Sequence, residues 1–165
     1  MVIFDACTLI LLAKSGILDV FISNFSGQVI IPKKVHEEVL IKDDTANLQI
    51  INLIKSGMIN VIILNNKGMQ RRLMEDFNID LGEAEAIILA LDNKGAVIAT
   101  DDKNAIKACK LLKIEFITAI SILIRAAEKQ LFSKREALIK LEGLKTIGRY
   151  KQLIITDARQ IINGG

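Results

Sequence analysis

Short apolar runs alternate along this chain with longer segments in which apolar residues recur at helical spacing. The runs predict strands at residues 2–4, 28–31, 61–64, 96–99 and 115–117. All but the last contain three or four consecutive apolar residues, so we expect both of their faces to be covered. Strands that alternate with helices favour parallel pairing. The pattern therefore predicts an α/β fold in which helices cover both sides of a mainly parallel sheet.

Segments with helical spacing fill the intervals between these strands. They predict helices at residues 8–14, 17–25, 32–41, 47–55, 68–77, 81–93, 103–112, 121–129, 134–144 and 149–162. Pro32, the only proline, suits the first turn of the third helix. No repeat, low-complexity tract or linker divides the sequence. We therefore expect a single domain over residues 1–165, with a core at about 1–120 and C-terminal helices at about 121–163.

Composition excludes several classes of protein. No apolar stretch approaches the ~20 residues that cross a bilayer, and the N-terminus lacks the pattern of a signal peptide, so a cytoplasmic location is expected. Cys7 and Cys109 are too few for a disulfide framework or a zinc site, and we expect both thiols to be buried. With one tyrosine and no tryptophan, binding of single strands by base stacking alone is disfavoured. A net charge of +3 permits an anionic partner without requiring one.

Acidic residues follow two of the predicted strands at their carboxyl ends. Asp5 directly follows the first strand, and Asp101 and Asp102 follow the fourth after one threonine. Ligands of open parallel sheets bind outside the carboxyl ends of the strands, which makes these residues candidates for chemistry. Two further acids on helices, Glu38 and Glu83, could reach the same edge. We expect the carboxylates of four separate segments to converge there.

Such a group of carboxylates predicts a metal site. Without nearby cations the acids repel each other unless they hold an ion, and hard oxygen ligands select Mg²⁺ or Mn²⁺ over Zn²⁺. A bound divalent ion lowers the pKa of a water molecule and neutralises charge on a phosphoryl group. Hydrolysis of phosphodiester bonds is the reaction that fits these properties.

Four sequence segments that carry the acids resemble the PIN domain over about residues 1–120: VIFD, IPKKVHEEV, LGEAEAIILA and VIATDD. The chain is most similar to short archaeal and bacterial members that look like VapC-type toxins. The resemblance implies a three-layer α/β/α sandwich and Mg²⁺- or Mn²⁺-dependent cleavage of RNA. It further implies a homodimer or higher homo-oligomer, with a small antitoxin protein as a partner in a toxin-antitoxin pair.

Carried over residue by residue, the resemblance implies a set of metal ligands: Asp5, Glu38, Glu83, Asp101 and Asp102. Four of these would be catalytic, because Asp102 is favoured within the Asp101/Asp102 step. One departure stands next to the first acid. Many relatives have Thr or Ser followed by Asn or Ser there, whereas this chain has Ala6 and Cys7, which leaves Thr8 as the nearest hydroxyl.

Each acid also has a structural interpretation. Asp5 could serve only as a helix N-cap, as could one member of the Asp101/Asp102 pair. Asp80 and Glu83 have the Asp-x-x-Glu spacing of a capping box.

Neighbouring polar residues are less favoured as site residues. Glu37 and Glu85 should point to other faces of their helices than Glu38 and Glu83 do. His36 has no partner His or Cys and is expected to be solvated. Basic residues that flank the acids could contact phosphates or form ordinary solvated surface: Lys33, Lys34, Lys103, Lys107, Arg71 and Arg72.

Two alternative functions compete with a nuclease. A phosphatase or phosphotransferase of the HAD kind requires a second Asp two residues after the first, and Cys7 occupies that position. A PIN fold that binds RNA or acts as a scaffold without turnover is the other alternative. Acids at all four motif positions argue against it.

Overall fold

The computed structural model describes residues 1–41, 45–148 and 150–164. Its five strands form one sheet: β1 (Val2–Phe4), β2 (Val29–Pro32), β3 (Asn60–Ile62), β4 (Val97–Ala99) and β5 (Glu115–Ile117). The strand order is β3-β2-β1-β4-β5, and every neighbouring pair is parallel. The expected α/β class with a parallel central sheet is therefore confirmed.

Ten helices lie within these described ranges: α1 (Ala6–Lys14), α2 (Leu18–Asn24), α3 (Lys33–Ile41), α4 (Thr45–Lys55), α5 (Lys67–Phe77), α6 (Leu81–Asp92), α7 (Lys103–Leu112), α8 (Ala119–Glu128), α9 (Lys134–Gly148) and α10 (Gln152–Gly164). The predicted start of the last helix, Arg149, lies outside the described residues. Helix α8 begins before its predicted start because Thr118 caps it in a capping box with Ser121. In the part of the chain that the structure describes, no single helix is long and apolar enough to cross a membrane.

Successive side chains of the central strands enter two different apolar layers. Val2 and Phe4 pack among α1, α2, α3, α4, α8, α9 and α10, whereas Ile3 packs with α5, α6 and α7. The two clusters show that helices cover both faces of β1, as its continuous apolar run indicates. The result is the expected three-layer α/β/α sandwich.

Three local expectations are wrong. Pro32 is the last residue of β2 and precedes α3, although the turn of the chain falls where expected. The run at 61–64 is not covered on both faces, because β3 is an edge strand and Ile63 beyond it is 74% exposed. Cys109 is buried as expected, but Cys7 is exposed, since it follows the N-cap of α1 on the side away from the core.

The order of the strands reverses beside β1. The chain runs from β1 through β2 to β3 on one side and then crosses to β4 and β5 on the other. Such a switch point is where open α/β sheets place their ligands. Phe4 of β1 pairs with Ala99 of β4, so Asp5 and Thr100 leave the sheet side by side. The two strand-end motifs of the sequence therefore meet at this point.

Candidate active site

Asp5 is a buried acid at the carboxyl end of β1. It is 3% exposed, and its Oδ1 accepts a 2.6 Å hydrogen bond from the amide of Thr8 as the N-cap of α1. Its Oδ2 is buried and accepts no hydrogen bond of good geometry from the described residues, although the hydroxyl of Thr100 lies near the carboxylate. Burial raises the pKa of Asp5 to about 6, although the nearby hydroxyls of Thr100 and Thr8 lower it. A buried carboxylate oxygen without a partner is costly, so capping alone does not account for this residue.

Glu83 lies in the first turn of α6 and forms the predicted capping box. Its amide donates to Oδ1 of Asp80 at 2.8 Å, and the amide of Asp80 donates to its Oε2 at 2.9 Å. Burial, followed by the charges of Asp80, Asp102 and Asp5, raises the pKa of Glu83 to about 7. The capping role of Glu83 is confirmed. The negative charges of Asp5 and Asp102, at the ends of two strands, also act on the same carboxylate.

A small cavity of about 10 Å³ connects Glu38 to this pair of acids. Its lining consists of Asp5, Ala6, Cys7, Glu38, Asp80, Gly82 and Glu83. A Cβ on Gly82 would lie 3.3 Å from Oε1 of Glu38, so the glycine preserves the space between the acids. A cavity of this volume is on the scale of a single water molecule. The structure thus brings Asp5, Glu38 and Glu83 around one small space.

The two acids after β4 have different environments. Asp102 is the N-cap of α7, and its Oδ1 accepts from the amides of Asn104 at 2.7 Å and Ala105 at 2.9 Å. Its Oδ2 has no hydrogen-bond partner among the described residues. Both oxygens of Asp101 accept hydrogen bonds: Oδ1 from Tyr150, and Oδ2 from the amide of Ala119. Asp102 therefore has one oxygen without a described hydrogen-bond partner, whereas both oxygens of Asp101 have one.

Tyr150 joins the C-terminal helices to the candidate site, a contact that the sequence analysis missed. Its hydroxyl donates to Asp101 at 2.7 Å. Burial and the charge of Asp101 raise the pKa of Tyr150 far above its ordinary value, so the hydroxyl keeps its proton. The C-terminal segment itself packs in the same apolar layer as α1 and α8. The sequence offers one signal for this contact, which is that Tyr150 is the only tyrosine of the chain.

Thr8 is a second residue whose role the sequence leaves open, and its hydroxyl contacts Asp101. It donates to Oδ2 of Asp101 at 3.2 Å and accepts from the amide of Asp101 at 3.0 Å. Thr100 accepts from the amide of Asp102 at 3.2 Å. The hydroxyl of Thr8 thereby connects α1 to Asp101, and the hydroxyl of Thr100 fixes the local turn to Asp102.

Glu85 is a second buried acid, but it points away from the cavity. Its Oε1 accepts from Gln70 at 3.1 Å, and its Oε2 accepts from the amide of Lys34 at 3.2 Å. The carboxylate thereby links α5 and α6 to the start of α3, which carries Glu38. On the surface of α3, Glu37 pairs with Lys33 and Lys34.

The carboxylate oxygens of the site are the type of ligand that a hard divalent cation prefers, although the described acids do not form a complete set of ligands. Within the described ranges, no three His, Cys, Asp or Glu side chains stand as a group that could hold a metal ion. Two features favour a cation nevertheless. Oδ2 of Asp5 is buried without a partner, and Gly82 leaves room beside Glu38.

A five-stranded parallel sheet with acids at its switch point defines an α/β protein with a candidate ligand site at the carboxyl edge of the sheet. A family model described as a PIN domain matches residues 1–159. The chain therefore belongs to the PIN-domain family, whose members are generally nucleases. The match extends beyond residues 1–120, where the sequence motifs lie. Searches of curated proteins and of solved structures gave no match.

Proposed function

We propose that the protein is a metal-dependent endoribonuclease that hydrolyses RNA phosphodiester bonds. Asp5, Glu38, Glu83 and Asp102 are its catalytic acids in this proposal. The observation that carries it is Oδ2 of Asp5, which is buried at the switch point of the sheet without a hydrogen-bond partner in the described residues. Membership of a family of nucleases supports the same reaction class.

The chemistry divides among these residues by their environments. A bound Mg²⁺ or Mn²⁺ would neutralise charge on the phosphoryl group and lower the pKa of a bound water molecule. Asp5, Glu38 and Glu83 would hold it, together with the oxygen of Asp102 that does not cap α7. Without a cation, Glu83 with a pKa of about 7 is half protonated at neutral pH and can exchange a proton at Oε1. Asp101, the fifth ligand that the resemblance implies, accepts hydrogen bonds at both oxygens and also positions Asp102 in this proposal.

The protein partners in this proposal follow from the resemblance to VapC-type toxins. They are a small antitoxin and further copies of the same chain. Exposed apolar side chains on α10 support a protein-binding surface, since Leu153 is 70% and Ile154 is 45% exposed. Measuring the mass of the purified chain by light scattering tests self-association, and a strictly monomeric particle would contradict that part.

A non-catalytic PIN protein that binds RNA is the second candidate function. The observation that favours it is the lack of an assembled ligand group among the described side chains. Titration of Mn²⁺ against thermal stability separates the two candidates from each other. A ligand that binds only the native state at 100 times its Kd stabilises by about 2.7 kcal/mol. The nuclease should show such a shift, and the scaffold should not.

Incubation of the full chain with labelled RNA and Mn²⁺ or Mg²⁺ tests the activity directly. Cleavage should occur with either metal and stop when a chelator is added. Asp5→Asn should reduce the rate by about 100-fold or more, as loss of a ligand or its support does at metal sites. Asp92→Asn, which removes an exposed acid from the far end of α6, is the matched control. Cleavage that survives both the chelator and Asp5→Asn would refute the proposal.

A further inference from the structure

A line of lysines runs along α7 away from the candidate active site. Lys103, Lys107 and Lys110 are spaced at i, i+4 and i+7, which places them on one side of the helix, and all three are exposed. We call them the lysine face. Helix α7 contains no acidic residue, and its N-cap is the site residue Asp102. The face therefore begins at the carboxyl edge of the sheet, beside the acids.

These lysines lack the acidic partners that some other basic residues have. In the described ranges, Lys33, Arg71 and Arg125 form ion pairs with acids three or four residues away on their own helices. No ion pair with a described residue engages the lysine face. Its charge is therefore available to an anion from outside the chain.

Two further details favour a binding role over ordinary solvated surface. Lys103 occupies the first turn of α7 directly after Asp102, so its charge lies at the end of the helix that carries the candidate site. At the other end, Nζ of Lys110 lies 5.9 Å from the ring centroid of Phe116. The lysine face thus extends from the candidate site to the last turn of α7.

We propose that the lysine face binds consecutive phosphates of the RNA strand and leads that strand to the acids. The inference rests on the proposed function and adds the surface that holds the substrate. Seven residues of α-helix rise about 10 Å, which separates the three ammonium groups enough for each to contact a different phosphate of an extended strand. A phosphate backbone is the occupant because α7 carries three exposed cations in a line and no acid beyond its N-cap Asp102.

The salt dependence of RNA binding tests this surface without any cleavage. The full chain carrying Asp5→Asn is titrated with single-stranded RNA in a chelator at several salt concentrations. Each phosphate contact contributes about 0.7 to the slope of log affinity against log salt for a single strand. Changing the three lysines of the face together to Gln should reduce that slope by about 2. The single change Lys107→Gln should reduce it by about 0.7 and guards against misfolding of the triple variant.

The matched control removes the same charge elsewhere, through Gln at the exposed residues Lys55, Lys94 and Lys129. It should leave the slope nearly unchanged. An equal loss of slope in both triple variants, or none in the face variant, would overturn the inference. Loss confined to the face variant supports it, even if the wild-type chain proves not to cleave RNA. Cleavage by the wild type together with an unchanged slope would overturn the inference alone and leave the nuclease proposal intact.

Discussion

Replacing Asp5 by Asn should stabilise the metal-free protein, because the change removes a charge that the fold buries. The side chain is 3% exposed, and its pKa rises from 3.8 to about 6 on folding. The native state thus binds this proton more tightly than the unfolded chain does. The free energy of unfolding therefore falls as the pH rises through this interval, and the loss is complete above about pH 6.

The size of the effect follows from the shift in the pKa of Asp5. A shift of about two units corresponds to about 3 kcal/mol at pH 8, since each unit is about 1.4 kcal/mol. Asn caps helices as well as Asp does, so its oxygen can keep the hydrogen bond from Thr8. Its amide group, however, enters a position where Oδ2 of Asp5 has no described partner, which reduces the gain. We expect a net stabilisation of about 1 to 2 kcal/mol at pH 8, and a value about 1.5 kcal/mol lower at pH 5, because the cost of the buried amide does not depend on pH.

Urea unfolding of the full chain in a chelator, at pH 8 and at pH 5, measures this gain. The variant should have a higher midpoint at pH 8 and a nearly unchanged one at pH 5, with an unchanged m value at both. Asp92→Asn, an exposed acid, is the control and should show no gain at either pH. Adding Mn²⁺ should raise the midpoint of the wild type and not that of the Asp5 variant. The reasoning is refuted if the Asp5 variant loses stability in the chelator at pH 8, or if its gain is the same at both pH values.

Three other changes probe the surroundings of the acids. Gly82→Ala should weaken Mn²⁺ binding by about tenfold in calorimetric titration, because its Cβ would lie 3.3 Å from a carboxylate oxygen across the cavity; unchanged affinity would contradict this. Tyr150→Phe should lower the free energy of unfolding by about 1.5 to 3 kcal/mol, since Asp101 loses a 2.7 Å hydrogen bond; an unaltered urea midpoint would count against it. A maleimide should label Cys7 in the native protein and Cys109 only after unfolding, since only the first is exposed; mass spectrometry showing two adducts on the native chain would disprove this.

Local sequence patterns predict the sheet and its acids well, because the information lies within a few neighbouring residues. The run before Asp5 and the run before Thr100 each identify a buried strand and the polar residue that ends it. The parallel pairing of β1 with β4 then places both ends at one edge. The strand order itself, and hence the switch point, depends on crossovers that periodicity does not encode.

Contacts between distant segments account for what the sequence did not predict. The environment of Asp101 depends on Thr8 and Tyr150, which lie 93 and 49 residues away along the chain. No spacing or local motif records such a contact. The exposure of Cys7 likewise depends on which side of α1 meets the layer above the sheet, and both of its neighbours in sequence are buried.

From the sequence, helix capping and a role in the site are alternative explanations of each acid. In the structure the two roles are compatible. Each βα junction of a parallel sheet places a strand end and a helix N-terminus at the same edge, so an acid there can serve both. Asp5 and Asp102 each use Oδ1 for the helix and leave Oδ2 without a described partner. The positive ends of α1, α6 and α7 partly offset the repulsion among the acids. That offset explains how the acids stay close without a cation, and a metal ion needs only the oxygens that the caps leave over.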